Sequence, residues 1–424
     1  MINITKLWTG AEQPADHIRY GIGHGSQSPL ASTAACAPTS ARARKPIVVW
    51  NITRTCNLRC VHCYADSHAE KYPGELTWEQ CCSVIDDLAE YKVNALLLSG
   101  GEPLLHPRLP DLLRRATEKG LKVTISTNGT RITPAFASLF KELGVAYVGI
   151  SLDGIGAVHD RFRGVPGAFE GAIRGFKLCE QVGQKTGLRL TLTRNNVQCM
   201  EQILDFIEQE DIRRVCFYHL VPTGRGVDVA ALQPQEARRA LDMLIARAEA
   251  WHKSGHTREL LTVTQPADGV YLLLRQLREN HPLALQTLRL LTWNGGGANS
   301  SGRGIANIDT QGNIHPDQFW QGVTLGNVKQ QKFSSVWEAA AEASAPTLRE
   351  LRGSDDPAER QARLSGRCAE CKLFSLCGGG FRTRAAFANG HWYGSDPACY
   401  LSDEERQTDL SDFLKKIAPE MPEK

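Results

Sequence analysis

From Pro46 onward, short apolar runs alternate with longer stretches whose apolar residues recur at helical spacing, the pattern of a parallel sheet covered by helices. The runs predict strands over 47–52, 95–98, 122–127, 147–152, 188–193 and 214–219, with helices between them and another over 234–251. Thr77 with Gln80 forms a capping box for the first helix, and Thr133 before Pro134 starts the third. Right-handed crossovers curl six such units into a partial (β/α)6, TIM-like barrel of the α/β class, with its ligand site at the carboxyl ends of the strands. Residues 21–45 are rich in Ser, Ala, Pro and Gly and read as a linker, with Cys36 an incidental thiol. The expected division is therefore an amino-terminal extension and linker at 1–45, the barrel at 46–255, and a carboxyl-terminal domain at 256–424. Residues 305–316 read as a hairpin turning at 309–312, which would set His315, Asp317 and Trp320 near a strand end at the barrel mouth.

Three cysteines change the picture. Cys56, Cys60 and Cys63 follow the first strand at the spacing C-x3-C-x2-C. Three thiolates on one short loop can hold three corners of a 4Fe-4S cluster and leave one iron open for a substrate or cofactor. A zinc knuckle is the plainer alternative, but its fourth ligand would be His62, wedged between two of the cysteines. Ser99-Gly100-Gly101-Glu102-Pro103 follows the second strand, and its adjacent glycines allow backbone to approach where a Cβ would intrude.

These two motifs in this order resemble the radical S-adenosylmethionine (SAM) enzymes. The resemblance implies that SAM binds the open iron and that one electron cleaves it to methionine and a 5′-deoxyadenosyl radical. It also implies that Gly100, Gly101 and Glu102 engage the methionine amino group. Asn128, and Ser151 or Asp153, would reach the methionine and ribose. The family's usual aromatic residue before the last cysteine is replaced here by His62.

Near the carboxyl end, Cys368, Cys371, Cys377 and Cys399 are spaced C-x2-C-x5-C-x21-C. Four thiolates fit either a zinc site or a second, fully ligated 4Fe-4S cluster, and a carboxyl-terminal auxiliary-cluster domain of the SPASM or twitch type is implied by the same resemblance. Cys81, Cys82, Cys179, Cys199 and Cys216 share no spacing and read as small apolar core residues.

The run Pro46 to Cys56, Cys63-Tyr64, His315 to Trp320, Leu325 to Val328 and Cys377 to Arg382 resembles the haem-biosynthesis branch of the family. The lead Met1 to Trp8, with Ile18 to Gly21, points within it to enzymes that remove the two acetates of 12,18-didecarboxysirohaem to give iron-coproporphyrin III. Relatives in haem d1 synthesis remove propionates from the same substrate, and the motifs do not separate the two. An iron tetrapyrrole is a broad apolar disc with several carboxylates. Trp293, Phe319 and Trp320 can supply wall, and Arg225, Arg303, Arg382 and Arg384 can supply clamps, although a plain surface arginine is the simpler reading of each. His219 and His315 can ligate the substrate iron or serve as ordinary hydrogen-bonded histidines.

Charge and composition narrow the partners. A net charge of +3 with both signs interleaved makes no basic field for nucleic acid. No apolar run has signal-peptide or membrane-spanning length, and thirteen cysteines fit metal binding in a reducing compartment, so a cytoplasmic enzyme fed by a flavodoxin or ferredoxin is expected. The rivals are a peptide maturase, which would carry a winged-helix domain before its barrel, and an electron carrier, which would have no use for Gly100 to Pro103.

Overall fold

The structure is a computed structural model and describes residues 1–13, 15–20, 45–295, 301–339, 346–354 and 356–417. The expected linker, apart from Lys45, and Cys36 lie outside the described residues. Among the described residues eleven strands form one sheet: β1 Ile2–Asn3, β2 Ile47–Asn51, β3 Ala95–Ser99, β4 Val123–Thr127, β5 Tyr147–Ser151, β6 Thr186–Leu192, β7 Arg214–His219, β8 Glu259–Val263, β9 Ile305–Ile308, β10 Asn313–His315 and β11 Gly326–Asn327. The six expected strands are β2 to β7, paired in parallel in chain order.

The parallel sheet extends at both edges beyond those six. β8 adds to β7 with Arg214 opposite Glu259, and β9 adds to β2 with Ile47 opposite Ile305. The sheet therefore runs on past residue 255. At one rim β1 pairs antiparallel with β8, and at the other β10 closes the expected hairpin on β9, Ile314 opposite Ile308. The amino-terminal segment is packed into the body: Thr5 Oγ1 donates to Arg258 O at 2.7 Å, and Ile4, Leu7 and Trp8 are buried in the main core.

Helices cover the outer face, and the strand alternation shows why. In β6 the apolar residues Leu188, Leu190 and Leu192 are buried outward among the helices, while Arg189 and Thr191 line the barrel interior. Both helix starts read from sequence are present. The Thr77–Gln80 capping box is reciprocal, and Thr133 accepts from Phe136 N at the head of Pro134–Glu142. Helix Pro234–Lys253 outlasts its expected end by two residues.

Candidate active site

Each of the motif segments lies at the carboxyl end of a parallel strand, so the sheet alone brings them together. The cysteine loop after β2 is held from three sides. Gly101 N donates to Thr53 O at 2.7 Å and Glu102 N to Thr55 O at 2.9 Å. Arg59 N and Val61 N donate to Arg163 O and Phe162 O, and Arg225 N donates to Cys63 O, each at 3.0 Å. The double glycine serves this loop contact first. A Cβ at Gly101 would overlap the carbonyl oxygens of Arg54 and Thr55, and one at Gly100 would overlap Thr53 O. Gly101→Ala is therefore expected to dislodge the loop and cost most of the bound iron of the first site, measured as iron per chain and as loss of the cluster's visible absorbance.

Cys56, Cys60 and Cys63 line a cavity of about 1100 Å³ that runs into the barrel. Their sulfurs each accept one N–H: Leu58 N to Cys56 Sγ at 3.4 Å, Arg163 Nη1 to Cys60 Sγ at 3.5 Å, and Ser67 N to Cys63 Sγ at 3.5 Å. Burial pushes Cys56 up to about 12 and raises Cys60 as well. Deprotonation there requires a cation that takes up the negative charge, and donors aimed at sulfur are what cluster thiolates need. The three residues fit an iron-sulfur cluster. His62 is neutral, its pKa lowered to about 4 by burial, and it packs on Phe162.

The other expected SAM contacts divide into two groups. Gly100, Gly101, Asn128 and Ser151 line the cavity. Glu102 and Asp153 do not, being wholly buried behind it. The Glu102 carboxylate accepts from Thr127 Oγ1 at 2.6 Å, Asn128 N at 2.8 Å and Leu104 N at 3.1 Å, so it shapes the loops around the site. Asp153 accepts from Thr191 N at 2.8 Å and pairs with Arg163, whose charge holds its carboxyl below the usual range despite burial. Arg163, absent from the sequence reading, thus ties Asp153 to the Cys60 sulfur.

The second cysteine group gathers in the carboxyl-terminal region. Cys368, Cys371 and Cys377 are buried, and Cys399 is partly so. Each of Cys371, Cys377 and Cys399 has the backbone N–H two residues ahead directed at it, from Leu373, Gly379 and Leu401. Gln361 Nε2 spans the carbonyls of Cys368, Ala369 and Cys371 at 2.8–3.1 Å and fixes their loop. Among the described residues no three His, Cys, Asp or Glu side chains converge as ligands of a single ion, a convergence that a cluster, whose ligands bond to different irons, does not require.

The structure corrects several of the expected substrate contacts. Phe319 lines the cavity, edge-on to Tyr64 at 5.3 Å, but Trp293 and Trp320 are not among its lining residues. His315 does not face the mouth; its ring is spanned by Val323 O at 2.8 Å and Asp309 Oδ2 at 3.4 Å within the hairpin. Asp317 is wholly buried and accepts from Phe319 N and Thr383. Arg384 is an internal strut bonded to Asp396, Leu220 O and Thr264 O, and Arg382 and Arg303 border a separate hollow of about 60 Å³. Arg225 lines the cavity, but its guanidinium braces the cysteine loop through Cys60 O, Asp66 and Ser67 O. His219 does reach the cavity, with Nε2 held at 3.0 Å by Asp268, whose other oxygen accepts from Tyr400 next to Cys399 at 2.7 Å. Of the remaining cysteines, Cys81, Cys179 and Cys216 are buried and Cys82 and Cys199 partly so.

The Radical SAM superfamily matches residues 50–207, the segment that carries both motifs of the loop. Fe-coproporphyrin III synthase of Methanosarcina barkeri is 42% identical over 407 residues, which is 96% of this chain and 98% of that protein. Pre-heme d1 synthase of Dinoroseobacter shibae is 43% identical over 86% of this chain and 88% of its own. Among solved structures, anSMEcpe with bound AdoMet and a peptide superposes with a TM-score of 0.63 over 89% of this chain and 98% of its own, at 19% identity, a likeness of fold. No helix among the described residues is long and apolar enough to cross a membrane. With the cysteine loop, the glycine segment and end-to-end similarity in agreement, the chain belongs to the radical SAM superfamily and is an enzyme of its 4Fe-4S and SAM chemistry.

Proposed function

We propose that the chain removes the two acetate side chains of 12,18-didecarboxysirohaem to give iron-coproporphyrin III, drawing electrons from a reduced flavodoxin or ferredoxin in the cytoplasm. The observation that carries this reading is the similarity to Fe-coproporphyrin III synthase along 96% of this chain and 98% of that one. Cys56, Cys60 and Cys63 would hold the first 4Fe-4S cluster, with Gly100, Gly101, Asn128 and Ser151 bordering the space for SAM beside it. Cys368, Cys371, Cys377 and Cys399 hold the second cluster. When bound, the first cluster supplies the electron that opens SAM.

The chain's own residues position and seal. Tyr64 OH sits between Asn51 Nδ2 at 3.1 Å and Ser99 Oγ at 3.4 Å, which fixes its ring at the junction of cysteine loop and barrel. Phe319 packs against that ring and excludes water from one wall. His219 lines the cavity with Nε2 held at 3.0 Å from Asp268, which fixes its ring in the wall. The cavity of about 1100 Å³ exceeds what a drug-sized ligand needs and suits a tetrapyrrole beside SAM.

The test is an anaerobic incubation of the reconstituted protein with didecarboxysirohaem, SAM and a strong reductant, the tetrapyrrole being read by mass spectrometry. Loss of two acetate groups with formation of 5′-deoxyadenosine is expected. Loss of propionates would move the chain to haem d1 synthesis, and an unchanged tetrapyrrole beside cleaved SAM would overturn the substrate.

A further inference from the structure

The interior of the barrel holds a guanidinium with no acid to answer it. Arg189 projects inward from β6 into the cavity, across β5, where a Cβ at Gly149 would lie against its Nε, Cδ and Cζ. Gly149 is thus a glycine so that this side chain can cross the barrel wall. Its Nε has no hydrogen-bond partner, and among the described residues no carboxylate pairs with the group. The neighbours that its charge acts on are the phenols of Tyr218 and Tyr147, which burial keeps protonated, the thiol of Cys216 and the guanidinium of Arg214. The Tyr147 ring centroid lies 5.9 Å from its Cζ.

An enclosed cation is costly unless an anion completes it, and arginine does not escape the cost by losing its proton. Other interior arginines among the described residues meet an acid of the chain itself, as Arg163 does Asp153, Arg214 and Arg19 Glu259, Arg258 Asp211 and Arg384 Asp396. Arg189 differs in being left for something that enters the cavity. We propose that Arg189 grips a carboxylate side chain of the tetrapyrrole in bidentate fashion inside the barrel, and so sets which edge of the disc faces the cysteine loop. The assignment rests on the tetrapyrrole reading above. The planar fork of guanidinium matches a carboxylate, and Tyr147 and Tyr218, which also line the cavity, are apolar-bodied neighbours that limit water around the pair.

Two carboxylates can enter this space, that of the tetrapyrrole and that of SAM's methionine, and the experiment separates them. Iron-coproporphyrin III and its tetramethyl ester are titrated separately into the anaerobic holoenzyme, followed by the Soret band, for wild type, Arg189→Gln and Arg189→Lys; SAM affinity is measured in parallel. Wild type is expected to prefer the acid, and Arg189→Gln to lose about ten- to a hundred-fold of acid affinity and nothing for the ester, as removal of a charge-assisted pair implies. Arg189→Lys should recover part of the loss, since charge returns without the fork. Equal binding of the acid by wild type and Arg189→Gln overturns the clamp but leaves the tetrapyrrole reading standing. Failure of wild type to bind either tetrapyrrole overturns both. A matching loss of SAM affinity places the guanidinium on the methionine carboxylate and overturns the assignment to substrate. Should Arg189→Gln not fold, the lysine variant and the wild-type preference for acid over ester decide.

Discussion

Alanine at Cys56, Cys60 and Cys63 together is expected to reduce 5′-deoxyadenosine formation to the uncatalysed background, while iron content falls from about eight to about four per chain. Alanine at Cys368 and Cys371 should also cost about four irons but spare the first site's absorbance. The contrast follows from geometry. The first group lines the cavity beside Gly100 and Ser151, whereas the second lies apart from it in the carboxyl-terminal region. Burial holds Cys56 near 12 and raises Cys60, so both are protonated in the iron-free protein and must release protons as iron binds. Cluster assembly should accordingly be more complete at pH 8.5 than at pH 6.5, read as iron per chain after reconstitution. Deoxyadenosine formed by the triple variant at the wild-type rate would falsify the assignment of the SAM-cleaving site to this loop.

Arg384→Met is expected to destabilise the protein by about 3–5 kcal/mol, the range for removing one partner of a buried ion pair. Arg384 is 3% exposed and Asp396 2%. The guanidinium meets Asp396 at 2.7 and 2.8 Å, and reaches Leu220 O at 3.1 Å and Thr264 O at 2.7 Å, just beyond the ends of β7 and β8. Asp396 also accepts from Phe381 N and Ala398 N. One side chain therefore staples the region of the second cysteine group onto the barrel, and its loss strands a buried carboxylate. Denaturant unfolding of the two proteins measures the difference.

The same pair has a pH signature with a definite sign. Arg384 and the backbone donors hold the Asp396 carboxyl below the usual carboxylate range although burial alone would raise it. A lowered folded-state pKa contributes stability above the unfolded value of about 3.9, and that contribution is lost as pH falls through the folded value. In the variant burial acts alone and raises that carboxyl, so the gap between wild type and Arg384→Met should be largest near neutral pH and narrow as pH falls through the carboxylate range. A gap that widens in acid would show that the pair is not what Arg384 contributes.

Much of the barrel was legible because its signals are local. A run such as Ala95 to Leu98, flat and apolar, has one stable place, a strand covered on both faces, and Thr77 and Thr133 announce their helices through bonds within one turn. β8 and β9 escaped as members of the parallel sheet for the opposite reason. Ile305 to Ile308 was visible as half of a hairpin, but its second partner is β2, more than 250 residues away, and strand pairing at that distance leaves no local mark. β1 is two residues long and exists only by pairing with β8.

The site divides along the same line. Cysteine spacing and the double glycine sit within single loops, so chemistry and position could be read together. The clamping arginines could not, since a guanidinium reaches far and its role depends on which acids surround it. Arg384, expected as a clamp, is bound to Asp396, whereas Arg189, inside the expected strand 188–193, faces the cavity. A signal was present, because Leu188, Leu190 and Leu192 alternate with Arg189 and Thr191, which puts a charge on the inward face of a central strand.

By itself, then, the sequence determined the α/β alternation, six of the eight parallel strands and the two cysteine spacings that point to clusters, because periodicity, caps and spacing are written over a few residues each. Only the tertiary structure decided which buried charges are already neutralised, which of the motif carboxylates, Glu102 and Asp153, hold the walls rather than face the cavity, and where Arg189 points. Those properties depend on residues brought together from distant strands, and electrostatic pairing in a low-dielectric interior is fixed by that proximity alone.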